Sequence, residues 1–226
     1  MKNNLKIAVL GDGGWGTTLA ILLSKKGYEV TLWGAFPEYI KYLNRKRENK
    51  KFLPGIEIPN SMILTYMIKE ATSDKDMVIL AVPSQHMREV ANRLSRSTGK
   101  EIYVSVSKGI ESHSLQRMSE IIESALGKVD LAVLSGPTIS YEVAREIPTT
   151  AVVASKKESV AKKVQEVFIT NKFRMYTSAD VVGVELGGSL KNIIAIAAGI
   201  SDGLGYGTNS KAALLSRGLV EITRLG

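Results

Sequence analysis

Three glycines near the N-terminus are spaced in the pattern G-x-G-x-x-G: Gly11, Gly13 and Gly16. A short apolar run, residues 6–10, precedes them, and a segment with apolar residues at helical spacing, residues 17–26, follows them. In a strand–turn–helix unit of this kind, the first glycine permits the bend. The second lets the backbone approach a pyrophosphate, and the third lets the helix pack closely on the strand. Because glycine-rich turns also occur for structural reasons alone, only the flanking strand and helix make this pattern predict a dinucleotide site.

A second candidate site follows a short apolar run at residues 131–134 and reads Ser135-Gly136-Pro137-Thr138. Proline is favoured in the first turn of a helix, so the pattern predicts a helix from here to about Glu146. Backbone N–H groups at a helix start bind phosphate well. A plain capping turn without a ligand explains the same residues equally well.

The composition is that of an ordinary soluble globular protein with a formal net charge of +8. Its basic residues are scattered, and the densest group, residues 41–51, fits a solvated helix face and loop. We therefore expect an anionic small molecule rather than a nucleic acid as the partner. The absence of cysteine excludes disulfides, thiol nucleophiles and thiolate metal sites, and only His86 and His113 are available for a histidine site. No metal is expected, and both histidines are interpreted as surface residues.

The elements that must position these residues alternate between strand and helix along most of the chain. This alternation predicts an α/β fold with a Rossmann-type doubly wound sheet. Predicted strands occupy residues 29–33, 77–82, 101–106, 131–134, 149–154 and 173–176, and predicted helices occupy residues 38–46, 85–97, 115–126 and 158–168.

The character of the chain changes near Asp180. Residues 184–200 are small and apolar on nearly all sides of a helix, residues 201–207 form a glycine-rich loop, and residues 209–225 read as a further helix. We predict a dinucleotide-binding domain at residues 1–180, followed at 181–226 by the start of an all-α second domain.

Nothing near the N-terminus has the pattern of a signal peptide, because the chain enters a strand almost at once. The apolar run at residues 193–200 is too short to span a bilayer. We therefore expect a cytoplasmic protein without membrane insertion.

The second predicted strand does not decide which dinucleotide binds. NAD binders of this fold place an acid near the end of that strand, and NADP binders place an arginine nearby. Here the strand runs into Gly34-Ala35-Phe36-Pro37, which offers neither. We expect weak discrimination between the two cofactors, with a lean towards NAD.

Six segments together resemble one known family along essentially the whole chain. They are Gly11-x-Gly-x-Trp15-Gly16-Thr17, Val82-Pro83-Ser84, Ser107-Lys108-Gly109, Ser135-Gly136-Pro137-Thr138, Leu190-Lys191-Asn192 and Ser201-Asp202-Gly203-Leu204-Gly205. Each is modest evidence alone, but six in this order are specific. On these segments the chain resembles the NAD(P)-dependent glycerol-3-phosphate dehydrogenases.

The resemblance implies hydride transfer between NAD or NADP and a small phosphorylated substrate, sn-glycerol 3-phosphate or dihydroxyacetone phosphate, feeding phospholipid synthesis. It implies that Lys191 is the catalytic acid/base and that Lys108 contacts both cofactor and substrate. The other implied substrate contacts are Gly136, Thr138 and Asn192. The other implied cofactor contacts are Gly11, Gly13, Gly14, Trp15, Gly16, Pro83 and Ser140. It leaves a homodimer open.

The chemistry asks for such a lysine independently of the family. A secondary alcohol that gives up a hydride must also lose its hydroxyl proton, and the reverse reaction must return one. A lysine serves if burial or a second cation lowers its pKa, and Lys108 offers that second cation for Lys191. An ordinary surface lysine is the alternative, and the apolar residues on both sides of Lys191 argue against it.

Several features depart from the family. Gly14 stands where Ser or Ala is common, Asp12 puts a carboxylate beside the anionic pyrophosphate, and Ala35 stands where a basic residue is common. The family's later glycine-rich motif and Arg-Asn pair have no counterpart within the 226 residues. We therefore expect an incomplete helical domain, little or no turnover by these residues alone, and association through residues 184–226.

Two other functions stay open at the level of sequence. A related two-domain dehydrogenase of hydroxy acids would share the cofactor fold and the helical second domain. A non-catalytic dinucleotide-binding protein would bind cofactor without turnover.

Overall fold

The computed structural model of the protein describes residues 5–94 and 99–225. Within these residues, an eight-stranded sheet carries helices on both faces. The strands are β1 Lys6–Leu10, β2 Glu29–Trp33, β3 Ile63–Thr65, β4 Met77–Leu80, β5 Ile102–Ser105, β6 Asp130–Ser135, β7 Thr149–Ala154 and β8 Phe173–Ser178. The helices are α1 Gly14–Lys25, α2 Pro37–Lys46, α3 Ile68–Thr72, α4 Met87–Asn92, α5 Met118–Leu126, α6 Ser140–Ala144, α7 Glu158–Phe168, α8 Val181–Gly203 and α9 Thr208–Leu225.

The strand order in the sheet is β3-β2-β1-β4-β5-β6-β7-β8. All neighbouring strands are parallel except β6 and β7, which are antiparallel. The order reverses between β1 and β4, and ligands of doubly wound sheets bind at the carboxyl ends of the strands beside such a reversal. The predicted Rossmann-type fold is confirmed.

Strand β1 shows why the parallel strands read as continuous apolar runs. Ile7 and Val9 pack into one buried apolar cluster, while Ala8 and Leu10 pack into another. Side chains alternate between the faces of a strand, and here each face is covered by helices. A strand buried on both sides has no polar face, which is the pattern that the sequence carries.

Local differences from the predicted elements have identifiable causes. Helix α6 begins at Ser140 rather than at Pro137, because residues 136–139 form a turn in which Thr138 N–H donates to the carbonyl of Gly136. Helix α5 begins at Met118 rather than at residue 115, since Leu115 has a φ of 58°. The predicted helix over 85–97 is a 3-10 turn, Ser84–His86, followed by α4, and residues 95–98 lie outside the described residues. The three-residue edge strand β3 was not predicted.

Helix α8 is longer than predicted and includes residues 201–203, which the sequence pattern assigned to a loop. Within the described part of the chain, α8 is the helix long and apolar enough to cross a membrane, by length and composition only. The apolar stretch is longer than the run 193–200, because glycine, alanine and serine extend it in both directions. Val181 and Val184 at its start pack against Val133 and Ala154 of the sheet. The division into residues 1–180 and 181–226 stays a prediction.

Candidate active site

The glycine-rich turn joins β1 to α1, and its three motif glycines meet different surroundings. Gly11 has a φ of 125°, and a Cβ atom on it would lie 2.5 Å from the carbonyl oxygen of Ala81. A Cβ atom on Gly16 would lie 1.9 Å from the carbonyl oxygen of Gly11. A Cβ atom on Gly13, the N-cap of α1, would meet no described atom within 4 Å. Packing therefore requires two of the glycines, and the third keeps an open side at the start of the helix.

Two further residues implied for the cofactor contribute in different ways. A Cβ atom on Gly14 would lie 2.8 Å from the carbonyl oxygen of Phe52 and 3.5 Å from Oγ of Ser140. The turn and Ser140 therefore lie close together. The ring of Trp15 instead packs edge-on against Phe173 of β8, with 6.2 Å between ring centroids. Its side chain is thus engaged with the sheet.

Asn49 holds the turn in shape, and sequence reasoning missed it. Its side chain is fully buried. Nδ2 donates to the carbonyl of Asp12 at 2.8 Å and to Oγ1 of Thr17 at 2.7 Å. Oδ1 accepts from the hydroxyl of Tyr39 at 2.6 Å and from the N–H of Phe52 at 3.3 Å. Its position inside a run of charged residues suggested a solvated loop, and no local pattern reveals the long-range contacts.

The loops after β4 and β5 lie against each other beside this turn. Gly109 has a φ of 136°, and a Cβ atom on it would lie 2.5 Å from Oγ of Ser84. Ser107 Oγ donates to the carbonyl of Val82, the residue before Pro83. These contacts place Pro83 and Lys108 at the same edge of the sheet.

The ammonium group of Lys108 is held by Thr138, another predicted site residue. Nζ of Lys108 donates to Oγ1 of Thr138 at 2.9 Å. Gly136, in the same segment, lies so close to β7 that a Cβ atom would be 2.8 Å from the carbonyl oxygen of Thr150. The loop after β6 thus reaches both Lys108 and, through Ser140, the glycine-rich turn.

Helix α8 crosses this edge of the sheet at close range. A Cβ atom on Gly188 would lie 2.2 Å from Oγ of Ser135 and 3.7 Å from Cγ of Lys108. Ser189 Oγ accepts a hydrogen bond of 3.0 Å from the N–H of Gly109. A larger residue than glycine at position 188 would push the helix away from the site.

Lys191 lies one helical turn beyond Gly188, on the same face of α8. Its Nζ donates to Oδ1 of Asn192 at 2.9 Å. Burial, and to a lesser extent the positive charge of Lys191, lowers the pKa of Lys108 from 10.5 to about 8. The two lysines are therefore within electrostatic reach of each other. The lowered pKa of Lys108 is a feature that the sequence did not predict.

A buried ion pair fixes α8 to the start of α5. Glu185 accepts hydrogen bonds from Nη1 of Arg117 at 2.7 Å, from the N–H of Ser119 at 2.8 Å and from Oγ of Ser119 at 2.6 Å. The carboxylate is thus satisfied on both oxygens, as a buried charge requires. It lies two helical turns before Lys191, so it sets the position of the helix that carries that lysine.

The remaining titratable candidates lie outside this cluster. His86 and Glu89 are both exposed, with 3.6 Å between Nδ1 and Oε2, so His86 does have an acidic neighbour that the sequence reading overlooked. Across residues 5–94 and 99–225, no group of three or more histidine, aspartate or glutamate side chains is arranged to hold a metal ion.

Comparison with known families matches both parts of the chain. Residues 6–161 match the family described as NAD-dependent glycerol-3-phosphate dehydrogenase N-terminus, and residues 180–226 match the corresponding C-terminus family.

Individual relatives agree with these matches. The chain is 52% identical over 225 residues to a glycerol-3-phosphate dehydrogenase [NAD(P)+] of Citrifermentans bemidjiense, covering 98% of this chain and 67% of the relative. It is 49% identical to the Bacillus subtilis protein of the same name, covering 98% and 65%. The crystal structure of glycerol-3-phosphate dehydrogenase from Coxiella burnetii superposes with a TM-score of 0.90 at 36% identity, covering 98% of this chain and 68% of that one. The chain thus spans about two thirds of the length of these relatives.

Proposed function

The chain belongs to the family of NAD(P)-dependent glycerol-3-phosphate dehydrogenases, and we propose that it transfers hydride between NAD(P)H and dihydroxyacetone phosphate or sn-glycerol 3-phosphate. One observation of the structure carries the proposal for this chain. Lys108, Thr138 and the helix of Lys191 converge at the edge of the sheet, and Ser140 joins them to the glycine-rich turn. Cofactor-binding and substrate-binding residues therefore share one site.

The residues of the turn fit a dinucleotide. Gly13 is open on the side where a side chain would stand, and it leaves the first N–H groups of α1 without a side-chain cap. Such groups, together with the helix dipole, bind phosphate. Gly11, Gly14, Gly16 and the backbone of Trp15 would hold the pyrophosphate, with Pro83, Lys108 and Ser140 beside it. When bound, the nicotinamide accepts or supplies the hydride, and the protein contributes orientation and charge.

The substrate end of the site is assigned to Lys108 and the residues around it. In its protonated form, Lys108 carries a positive charge that can hold an anionic substrate, and Thr138 fixes the direction of its ammonium group. Gly136 lets the same loop stay close to the sheet. Because the Lys108 pKa is about 8, this charge is present at neutral pH and is lost in mildly alkaline solution.

Proton transfer is assigned to Lys191. It would donate a proton to the carbonyl oxygen of dihydroxyacetone phosphate and take one from the alcohol in the reverse direction. Asn192 accepts a hydrogen bond from Nζ of Lys191 and so holds the Lys191 side chain close to α8. Lys108, at the facing loop, keeps a second positive charge near it.

We extend the proposal to the cellular role. The reduced product is the phosphorylated glycerol backbone of phospholipids, so the reaction would supply lipid synthesis. Cofactor and substrate are both anions that do not cross membranes unaided, which favours a cytoplasmic location. Helix α8 is assigned to the fold rather than to a membrane span, since Glu185 holds it against α5 and Gly188 packs against Ser135 of the sheet.

The test measures NADH binding by fluorescence titration and the oxidation of NADH that dihydroxyacetone phosphate causes. It uses this chain with any residues that its reading frame encodes after Gly226. Replacing Lys191 by Met should reduce turnover about a hundred- to ten-thousand-fold and leave NADH affinity nearly unchanged. Lys163→Met, on the exposed face of α7, is the matched control and should leave both quantities unchanged.

A loss of less than tenfold in Lys191→Met would assign the proton to another group, with Lys108 the first to examine. NADH binding without any turnover would contradict the dehydrogenase proposal and favour a non-catalytic dinucleotide-binding protein. Reduction of a hydroxy acid's keto form in preference to dihydroxyacetone phosphate would contradict the substrate assignment.

A further inference from the structure

Asp12 places its carboxyl group at the end of strand β2. Leu10 pairs with Trp33 across β1 and β2, and the N–H of Gly11 donates to the carbonyl of Trp33 at 2.9 Å. The turn and Gly34 therefore leave the sheet side by side. A Cβ atom on Gly34 would lie 2.2 Å from Oδ2 of Asp12. The Asp12 carboxyl group thus fills the space that a side chain at position 34 would occupy.

One oxygen of this carboxyl group has no hydrogen-bond donor among the described residues. Oδ2 of Asp12 is buried, and no group among the described residues donates a hydrogen bond to it. Asn49 holds the Asp12 carbonyl at 2.8 Å, which fixes the backbone behind the side chain. Burial raises the pKa of Asp12, and a hydrogen bond from its own backbone N–H and the positive charge of Lys51 oppose part of that rise. The residue as a whole is only partly buried, so its carboxylate can still accept a hydrogen bond from a ligand hydroxyl.

An acid at the end of the second strand is the feature that NAD-binding folds use to hold the adenosine ribose. The residues that follow β2 along the chain, Gly34 and Ala35, do not supply it. We propose that Asp12 supplies this acid from the glycine-rich turn and makes the site select dinucleotides with a free ribose 2′-hydroxyl over those with a 2′-phosphate. The inference rests on the proposed function, because it takes the turn to hold the pyrophosphate of a dinucleotide.

The selection has a simple electrostatic reason. A 2′-hydroxyl can donate to the partly buried carboxylate of Asp12. A 2′-phosphate offers mainly acceptors and adds negative charge beside the carboxylate, and like charges at short range in a partly buried site repel strongly. Asp12 therefore favours the first ligand and opposes the second.

Basic residues nearby make the effect of Asp12 measurable. An open cavity of about 650 Å³ lies beside the segment that follows β2. It is lined by Phe36, Glu38, Tyr39, Tyr42, Lys50 and Lys51. The two lysines would attract a 2′-phosphate if the carboxylate did not oppose them. Neutralising Asp12 should therefore release their attraction as well as remove its own repulsion.

The experiment compares two probes that differ only in the 2′-phosphate, AMP and adenosine 2′,5′-bisphosphate, by calorimetry. NADH and NADPH are compared by fluorescence titration. The wild-type protein should bind AMP and NADH more tightly than their 2′-phosphorylated counterparts. Asp12→Asn keeps the shape and removes the charge, and should shift the ratio of dissociation constants about tenfold towards the 2′-phosphate ligands at low salt. High salt should reduce the shift.

Glu38→Gln is the matched control, because Glu38 lines the same cavity and is exposed. It should move the ratio by less than about twofold. If Asp12→Asn does not give a folded protein, Asp12→Ala replaces it, and the same shift is expected. An unchanged ratio in a folded Asp12 variant, or a wild-type preference for NADPH, would overturn the inference. Failure of the wild type to bind NADH at all would instead overturn the proposed function.

Discussion

At the residue scale, two glycines of the turn should affect different properties: Gly13 cofactor binding, and Gly16 the stability of the fold. A side chain at Gly13 meets open space, whereas one at Gly16 meets the backbone of Gly11 at 1.9 Å. Backbone atoms cannot rotate aside as a flexible side chain can, so the two positions should respond differently to substitution.

We predict that Gly13→Val removes NADH binding and lowers the free energy of unfolding by only about 1 kcal/mol or less, because Val is a poor N-cap residue. Gly16→Ala should lower the free energy of unfolding by about 1–3 kcal/mol or more through overpacking. Urea unfolding and NADH titration of both variants check this. Unchanged NADH affinity in Gly13→Val would contradict the assignment of the turn.

Lys108 should make both stability and substrate binding depend on pH. Its pKa in the folded protein is about 8, below the ordinary 10.5. Between these values the unfolded chain binds more protons than the folded one, so this group adds stability as pH rises from about 8 to 10.5. The affinity for sn-glycerol 3-phosphate should instead fall as pH rises through about 8, since the uncharged amine cannot pair with a phosphate.

Comparison with Lys108→Met isolates this effect. From pH 7.5 to 10, the melting temperature of the wild type should rise relative to that of the variant. Most of this range lies between the Lys108 pKa of about 8 in the folded protein and the ordinary value of 10.5. A pH-independent difference would mean that Lys108 titrates outside this range.

Candidate site residues that lie in a local sequence pattern could be predicted from the sequence. Residues whose contacts are long-range in the chain could not. The G-x-G-x-x-G spacing and the Ser-Lys-Gly and Ser-Gly-Pro-Thr segments can be read along the chain. Asn49 touches Asp12 across 37 positions, and nothing in its neighbours predicts that. The approach of Asp12 to Gly34 likewise depends on the pairing of β1 with β2.

At the element scale, the buried contact between α8 and α5 decides where Lys191 stands. Glu185 is 9% exposed and accepts from both the side chain of Arg117 and the backbone of Ser119. Removing one member of a buried ion pair leaves the other charge without compensation, which costs about 3–5 kcal/mol.

We predict that Glu185→Gln lowers the free energy of unfolding by about 1–3 kcal/mol, less than a full loss, because Arg117 keeps its pair with Glu120 at 2.8 Å. Turnover should fall as well, since α8 would sit less firmly beside Lys108. Glu123→Gln, which breaks an exposed pair with Lys156, should cost about 0–1 kcal/mol. Equal losses in the two variants would show that the Glu185 contact contributes no more than a surface pair.

Elements with a strong apolar period were predictable along their whole length, whereas the short ones were missed or had misplaced ends. Buried strands such as β1 and β4 carry nearly continuous apolar runs, and α7 has a clear amphipathic pattern. Strand β3 has three residues, and its extended conformation is stabilised by pairing with β2. Helix α6 has five residues, too few for a helical period to be visible, so the prediction from Pro137 found the helix but placed its ends wrongly.

At the scale of the whole molecule, α8 and α9 present a broad apolar surface to solvent. Ile193 is 62% exposed, Ile196 65% and Ile200 58%, and on α9 Leu219 is 66% exposed. Adjacent exposed residues of this kind exceed the scattered apolar residues of an ordinary monomer surface.

We predict that the 226-residue chain associates with further copies of itself through this surface. Sedimentation should show a mass that rises with concentration, and Ile196→Lys should reduce the rise because a charge at the centre of the contact is costly. Leu115→Lys, at a 74% exposed position far from these helices in the sequence, is the control and should change nothing. A monomer at every concentration would contradict the prediction.

The glycines of α8 bear on the order in which the chain folds. Five of its 23 residues are glycine, and each costs a helix interior about 1 kcal/mol relative to alanine. Gly183 is explained by its local contact with the Asp180 cap, whereas the contact of Gly188 with Ser135 exists only once the sheet has formed. As an isolated segment, α8 would therefore be largely unwound. We predict that this helix forms only once β6 and β7 are in place, so the candidate site would be completed after the sheet.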